Sequence, residues 1–321
     1  HVQTNAKKYN SSERDKELDT LRGLIREEIA AGFYNIDIDT STLVDLDKPT
    51  LEEQQQVNGD LAAEFTEFIR RNEPSGVTVS VGGEIGEVGG KNSDVHELHA
   101  FMKVYQAALK RRGGDLVGIS KISVQTGTAH GGFIDAEGKL LADVKNDLET
   151  LGELARIARE EYGLGGAVQH GASTLPSDAF DAFPRVGACE IHLATNFQNM
   201  VYDGMPSGLR AEMYDWTRKN AAEERKPKDT EEQFLYKARK KAIGPFKQQL
   251  WNLPWGVRDQ IGKALEDQFT FLMRKLKIEN TADVVRKFIK APDMPLDREA
   301  AIVAAGGKIT AAERKAEGLA D

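Results

Sequence analysis

The sequence has a single cysteine, Cys189, among its 321 residues. One cysteine cannot form an internal disulfide, and scarcity of cysteine is typical of a reducing compartment, so we expect a cytoplasmic protein. The first thirty residues contain no apolar segment of the signal-peptide kind, and no stretch approaches the ~20 apolar residues of a membrane span. Internal repeats and low-complexity tracts are also lacking. These absences favour a globular protein that does not cross a membrane.

An excess of positive charge is lacking as well. The chain has 43 basic and 51 acidic residues, a formal net charge of −8. Nucleic acids and anionic membranes are bound by clustered Lys and Arg, whereas the basic run at 237–241 follows an acidic pair and is interpreted as a solvated helix face. We therefore expect neither nucleic acid nor membrane as a partner.

Short β-rich segments alternate with long amphipathic segments through the first two thirds of the chain. Strands are predicted at 33–39, 77–81, 116–124, 167–169 and 188–193, and helices at 12–31, 51–71, 94–112 and 140–162. Strands separated by helices of this length form βαβ units and a parallel sheet. The strand signal stops near residue 205. The sequence thus predicts an α/β part, residues 1–209, and a helical part, residues 210–321.

The number of strands bears on the architecture. Five strands cannot close an eight-stranded barrel, and a helix precedes the first of them. The simplest interpretation is a (β/α)₈ TIM barrel whose first three strands lie upstream of His1, with a helical C-terminal extension. An open, doubly wound sheet is an alternative that the number of strands leaves open.

Polar side chains concentrate where the predicted strands end, which in parallel α/β folds is the face that carries active sites. They are Asp37, Asp39, Ser41, Glu84, His130, His170, His192 and Thr195. His130 and His170 end successive strands, so their rings can converge on one point. Imidazoles with a nearby carboxylate suit zinc or a similar divalent ion. A structural histidine is the alternative for either one.

Small residues follow these two histidines. Gly131 and Gly171 allow backbone N–H groups to approach an anion closely, and Ser173 adds a hydroxyl donor. Such turns are suited to phosphate. Ordinary turn glycines are the alternative interpretation.

Five segments, in this order, resemble signature segments of the class II, metal-dependent fructose- and tagatose-bisphosphate aldolases. They are IDTS at 38–41, EIGEVGG at 84–90, GTAHG at 127–131, HGAS at 170–173 and the strand at 190–195. The resemblance implies cleavage or formation of a C–C bond in a phosphorylated ketose, with Zn²⁺ or another divalent metal as cofactor. We also expect a homo-oligomer.

The resemblance also implies roles for individual residues. The metal ligands would be His1, Glu84, His130 and His170, with His1 either the remaining histidine ligand of the family or the end of a purification tag. Phosphate would be bound by Gly131, Gly171, Ser173 and Thr195. The catalytic residues would be Asp39, close to the metal, and His192.

The chain departs from the family in its last predicted strand. The family's Lys-(Ile/Val)-Asn is here Glu190-Ile191-His192, so we predict that His192 contacts substrate or metal and helps to set substrate choice. Lys121 is the candidate for Schiff-base chemistry, which a metal mechanism does not need. Two other functions stay open: a non-catalytic or regulatory aldolase-like subunit, and a phosphosugar isomerase.

Overall fold

The computed structural model describes residues 1–86, 91–127, 135–137 and 147–290. Six parallel strands in this part of the chain form one sheet, in which each strand pairs with its neighbours in the sequence. The strands are β1 (Val2–Gln3), β2 (Asn35–Asp39), β3 (Ser80–Glu84), β4 (Lys121–Val124), β5 (Ala167–Gln169) and β6 (Glu190–Ile191).

A helix lies in every connection between consecutive strands, because a parallel pair needs a crossover. These helices are α1 (Ala6–Tyr9), α2 (Arg14–Ala30), α3 (Leu51–Asn72), α4 (Val95–Arg112), α5 (Leu148–Tyr162) and α6 (Ala182–Val186), and α7 (Thr195–Gly204) follows β6. The first turns of α3 and α4 are closed by reciprocal capping boxes, Thr50 with Glu53 and Asp94 with Glu97.

The two faces of the strands carry different chemistry, since successive side chains point to opposite sides. In β2, Ile36 and Ile38 join the buried apolar core formed with the helices, and β4 contributes Ile122 and Val124 in the same way. The residues that alternate with them are polar. The face of the sheet away from the helices is therefore a buried polar surface, which is where a site can form.

The sheet is strongly curved. In a flat sheet β2 and β6, four strand spacings apart, would be roughly 19 Å from each other. Instead the side-chain amide of Asn35 in β2 donates to the carboxylate of Glu190 in β6, at 3.2 Å. The polar face is thus concave, and side chains from non-adjacent strands meet across it.

The described residues after α7 are helical. They form α8 (Ser207–Asn220), α9 (Glu231–Ala238), α10 (Lys247–Trp251), α11 (Trp255–Lys275) and α12 (Ala282–Phe288), with short 3₁₀ turns between some of them. A second apolar cluster is built around Tyr202, Met205, Met213 and Ala242. No helix in the described part of the chain is long and apolar enough to cross a membrane.

The α/β class and the parallel sheet are confirmed, but the expectation that no strand precedes the first long helix is wrong, because β1 lies before it and pairs with β2. Two residues are too few to show a periodic pattern. The strand predicted at 77–81 is shifted to Ser80–Glu84, and the strand predicted to run through Thr195 ends at Ile191, with Thr195 starting α7.

Two broader expectations stay predictions. The described sheet has six strands, so the eight-stranded closed barrel is not established by it. The chain divides into compact units at His1–Asn280 and Thr281–Asp321, and the boundary expected at residue 209 falls inside the first. In the described residues the last strand ends at Ile191, and residue 209 lies within α8.

Candidate active site

The first group of site residues gathers at the start of β1 and at the ends of β2 and β3. Val2 is opposite Ile38, and this register sets His1 beside the inner face of β2. Its Nε2 lies 3.5 Å from Oδ2 of Asp39. One ligand atom each from His1, Asp39 and Glu84 lies within 4.8 Å of the other two. Both carboxylates are buried, whereas the side chain of His1 is 40% exposed, so the group opens to solvent on that side.

The carboxylate of Asp39 is held on both oxygens. The side-chain amide of Gln3 donates to Oδ2 at 2.6 Å, and the backbone N–H and hydroxyl of Ser41 donate to Oδ1 at 3.1 and 2.7 Å. A short Asp-x-Ser segment at the strand end is what makes the last two bonds local. The orientation of Asp39 is therefore fixed before any ligand arrives.

His170 joins this group from the end of β5. It is buried, with Nδ1 3.7 Å from Oε1 of Glu84 and Nε2 3.1 Å from the hydroxyl of Ser123. Its ring centroid is 5.7 Å from that of His1 and 4.4 Å from that of His192. His1, His170 and His192 together offer ring nitrogens within 4.8 Å of one another. His170 is thus the side chain that links the first group to a second.

The second group, which we name the lysine cluster, consists of Asp37, Lys121, Glu190 and His192. The ammonium of Lys121 is 3.0 Å from Oδ1 of Asp37 and 2.5 Å from Oε1 of Glu190, and it donates to the side chain of Asn35. Nε2 of His192 is 2.6 Å from Glu190 and 3.1 Å from Asp37. Each carboxylate therefore has a cationic neighbour and an imidazole.

The lysine cluster fixes the charge of Glu190. Burial disfavours the ionised carboxyl, but hydrogen bonds from His192 and Lys121 outweigh it and lower the pKa of Glu190 to about 2. Gly82 in β3 leaves the space that the cluster needs, because a Cβ there would lie 2.0 Å from Oδ1 of Asp37. A side chain at position 82 is therefore incompatible with the observed position of Asp37.

The residues expected to bind phosphate lie in two adjoining turns. Gly171 has φ of 67°, the left-handed conformation that favours glycine, and starts the turn after β5. The hydroxyl of Ser173 in that turn accepts a hydrogen bond from the backbone N–H of Ala194, which precedes Thr195 at the start of α7. The hydroxyl hydrogen of Ser173 stays available to an acceptor such as a phosphate oxygen.

The structure brings most of the predicted site residues together. Asp39, Glu84, His170, His192 and His1 converge on the concave face, and Gly171, Ser173 and Thr195 lie at its edge. His130 and Gly131 lie outside the described residues, so their expected roles stay predictions.

Sequence reasoning missed the partnership of Lys121 with Asp37 and the contact of Ser123 with His170. Lys121 and Ser123 are two residues apart in β4, so both face the side opposite Ile122 and Val124. A polar residue at every second position of a buried strand was the signal that could have identified them.

A parallel α/β sheet with histidines and carboxylates gathered at its strand ends is an arrangement typical of metal-dependent enzymes. The family model described as "Fructose-bisphosphate aldolase class-II" matches residues 19–250. The chain belongs to this family, and membership supports an aldolase-like function.

The chain is similar to several solved structures, and the first one below supports the fold. A probable tagatose 6 phosphate kinase from Sinorhizobium meliloti 1021 is similar with a TM-score of 0.52 and 17% identity, over 91% of this chain and 76% of that one. The fructose-bisphosphate aldolase from Campylobacter jejuni matches with a TM-score of 0.42 and 17% identity, over 80% of this chain and 67% of that one. The fructuronate-tagaturonate epimerase UxaE from Cohnella laeviribosi matches with a TM-score of 0.46 and 12% identity, over 80% of this chain and 64% of that one.

Proposed function

We propose that this protein is a metal-dependent aldolase that cleaves or forms a C–C bond in a phosphorylated ketose, through a dihydroxyacetone-phosphate-like enediolate. The observation that carries the proposal is the grouping of ligand atoms of His1, Asp39 and Glu84 within 4.8 Å of one another, with Nδ1 of His170 3.7 Å from Glu84. The proposed ligands are His1, Glu84 and His170, with His130 predicted as a further one.

The donor set fits a divalent metal such as zinc. Imidazole nitrogens and carboxylate oxygens are the ligands that zinc takes, and catalytic zinc sites keep one position open. Here the first group is open to solvent at His1 and closed by buried carboxylates behind it. When bound, the metal supplies a Lewis acid that polarises the ketose carbonyl.

The remaining steps belong to the side chains. Asp39, held by Gln3 and Ser41, would accept or return a proton at a substrate hydroxyl. The Gly171 and Ser173 turn would hold the phosphate through backbone N–H groups and the hydroxyl. His192, beside His170, would contact the substrate or the metal and help to set substrate choice.

The experiment is a metal analysis combined with an aldehyde-release assay on a panel of ketose phosphates. We expect bound divalent metal, cleavage of at least one substrate, and loss of cleavage on chelation with recovery on adding Zn²⁺. His170→Asn should lose metal, whereas His96→Asn should not, because His96 is exposed on α4, outside the site. A metal-free chain that cleaves none of the panel would favour a non-catalytic subunit.

A phosphosugar isomerase is the second candidate. His192 favours it, because its imidazole places a further proton-transfer group beside His170. Such an enzyme would interconvert two ketose or aldose phosphates and release no aldehyde fragment. The same substrate panel, followed by NMR of the products, separates the two reactions.

A further inference from the structure

We propose that His192 is an additional metal ligand, through Nδ1, and that the other members of the lysine cluster orient its ring. The inference rests on the metal site of the proposed function and extends it by one ligand. Its first support is position: ring nitrogens of His1, His170 and His192 lie within 4.8 Å of one another. The centroid of His192 is 4.4 Å from that of His170, with 30° between the planes, so the two rings are direct neighbours.

The second support is the hydrogen bonding of Nε2. This nitrogen faces two carboxylates, Glu190 at 2.6 Å and Asp37 at 3.1 Å. Ionised carboxylates only accept hydrogen bonds, so Nε2 carries the proton, and in the neutral ring the lone pair is on Nδ1. Within the described part of the chain, no hydrogen bond to Nδ1 of His192 is formed. An imidazole that donates one N–H to a carboxylate and keeps the other nitrogen available is the usual state of a metal-bound histidine.

The third support is the position of Lys121. It decides whether the carboxylates of the lysine cluster bind a metal themselves or orient His192. Asp37, Glu190 and His192 could by themselves form a separate metal site, since their ligand atoms lie within 4.8 Å of one another. However, the buried ammonium of Lys121 already lies 3.0 and 2.5 Å from those two carboxylates. A second cation there would be repelled by the first. The carboxylates therefore neutralise Lys121 and accept the hydrogen bond from Nε2 of His192. Nδ1 of His192 is then the atom of the lysine cluster that can bind a metal.

Side-chain rotation can bring the ring nitrogens of the three histidines close enough to share one metal ion. Two nitrogens that share a tetrahedral zinc ion at about 2.0–2.1 Å are roughly 3.4 Å apart. One ring nitrogen of each histidine lies within 4.8 Å of the others, so binding requires an approach of up to about 1.4 Å, divided between two side chains. Bonds in an active site commonly tighten when the ligand is bound.

The test measures metal binding itself. Zinc affinity is determined by competition with a chromophoric chelator, the Co²⁺-substituted protein is examined by visible absorption, and X-ray absorption counts the imidazoles around zinc in the wild type and in His192→Asn. We expect His192→Asn to weaken zinc binding at least tenfold, to change the Co²⁺ spectrum and to lower the count by one imidazole. Glu190→Gln should weaken binding about 10- to 100-fold, the range typical of a lost orienting partner.

The control is His96→Asn, the same substitution on an exposed face of α4, which should leave affinity and spectrum unchanged. The imidazole count of the wild-type protein decides the question even if a variant fails to fold. If His192→Asn keeps the affinity, the spectrum and the count, the inference is overturned, while the metal-dependent aldolase stands as long as the wild type cleaves a ketose phosphate. If the affinity depends on His192 but no substrate is cleaved, the inference stands and the proposed function fails.

Discussion

Lys121 is the most informative residue to perturb, because its side chain is only 4% exposed and its ammonium contacts two carboxylates. Lys121→Met keeps most of the side-chain length and removes the charge. At an effective dielectric constant of 20, each contact near 3 Å is worth roughly 5 kcal/mol before desolvation. Desolvation offsets much of this sum, and removal of one partner of a buried pair typically destabilises by about 3–5 kcal/mol.

We expect the lower end, about 3 kcal/mol, because the side chain of Glu190 is 27% exposed and water can partly solvate it. Urea unfolding at neutral pH measures the loss. With a slope near 3 kcal/mol per molar, the midpoint should fall by about 1 M. Addition of Glu190→Gln to Lys121→Met should recover part of the loss, since it removes one uncompensated carboxylate. The double-mutant cycle then gives the interaction energy of the pair.

The matched control is Lys103→Met. Lys103 also forms a close pair, 2.8 Å from Glu52, but its side chain is 73% exposed. Exposed pairs contribute at most ~1 kcal/mol, so this midpoint should change little. Equal effects of the two substitutions, or a Lys121→Met protein as stable as the wild type, would refute the view that the lysine cluster is a compensated buried network.

Gly82→Ala should lower the melting temperature clearly, because its Cβ would overlap Asp37. The control is Gly23→Ala, in open space within α2, which should leave the melting temperature unchanged or raise it. Equal melting temperatures of the two variants would argue against the packing described. The pKa of Glu190 is lowered to about 2. Its hydrogen bonds therefore stabilise the fold fully at pH values above its ordinary pKa of 4.5, and this contribution is lost as the pH falls from there towards about 2. The difference in urea midpoint between wild type and Glu190→Gln, measured without metal, should therefore shrink between about pH 5 and pH 3, and a constant difference would contradict this. Ser173→Asp should raise the Michaelis constant for a phosphorylated ketose through like-charge repulsion. Ser173→Ala is the control and should raise the constant less. An unchanged Michaelis constant for Ser173→Asp would exclude phosphate from this turn.

The site was predictable where its residues are local in sequence. Asp39 and Ser41 are two positions apart and bond to each other, and Gly171 and Ser173 form one turn directly after the strand that ends at His170. The geometry of such short segments does not depend on where the strand lies in the sheet. A sequence motif is therefore enough to predict it. The alternation of polar and apolar residues in β2 likewise predicts which side chains face the site.

The cluster around Lys121 was not predictable in that way. Its carboxylates come from β2 and β6, and only the curvature of the sheet brings those strands within reach of β4. From the sequence, Lys121 in mid-strand was a candidate for covalent chemistry, whereas its contacts show an ammonium engaged by two buried carboxylates. A charge in a strand has no preferred partner until the neighbours across the concave face are known.

The sequence by itself determined the α/β class, the order of strands and helices, and the set of strand ends that carry histidine, carboxylate and small residues. These follow from hydrophobic period and from short motifs, which depend on neighbours a few residues away. Only the tertiary structure decided that β1 belongs to the sheet, that Thr195 starts a helix, and that His192 shares two carboxylates with Lys121. Those features depend on register and curvature, which are set by packing between segments far apart in the chain.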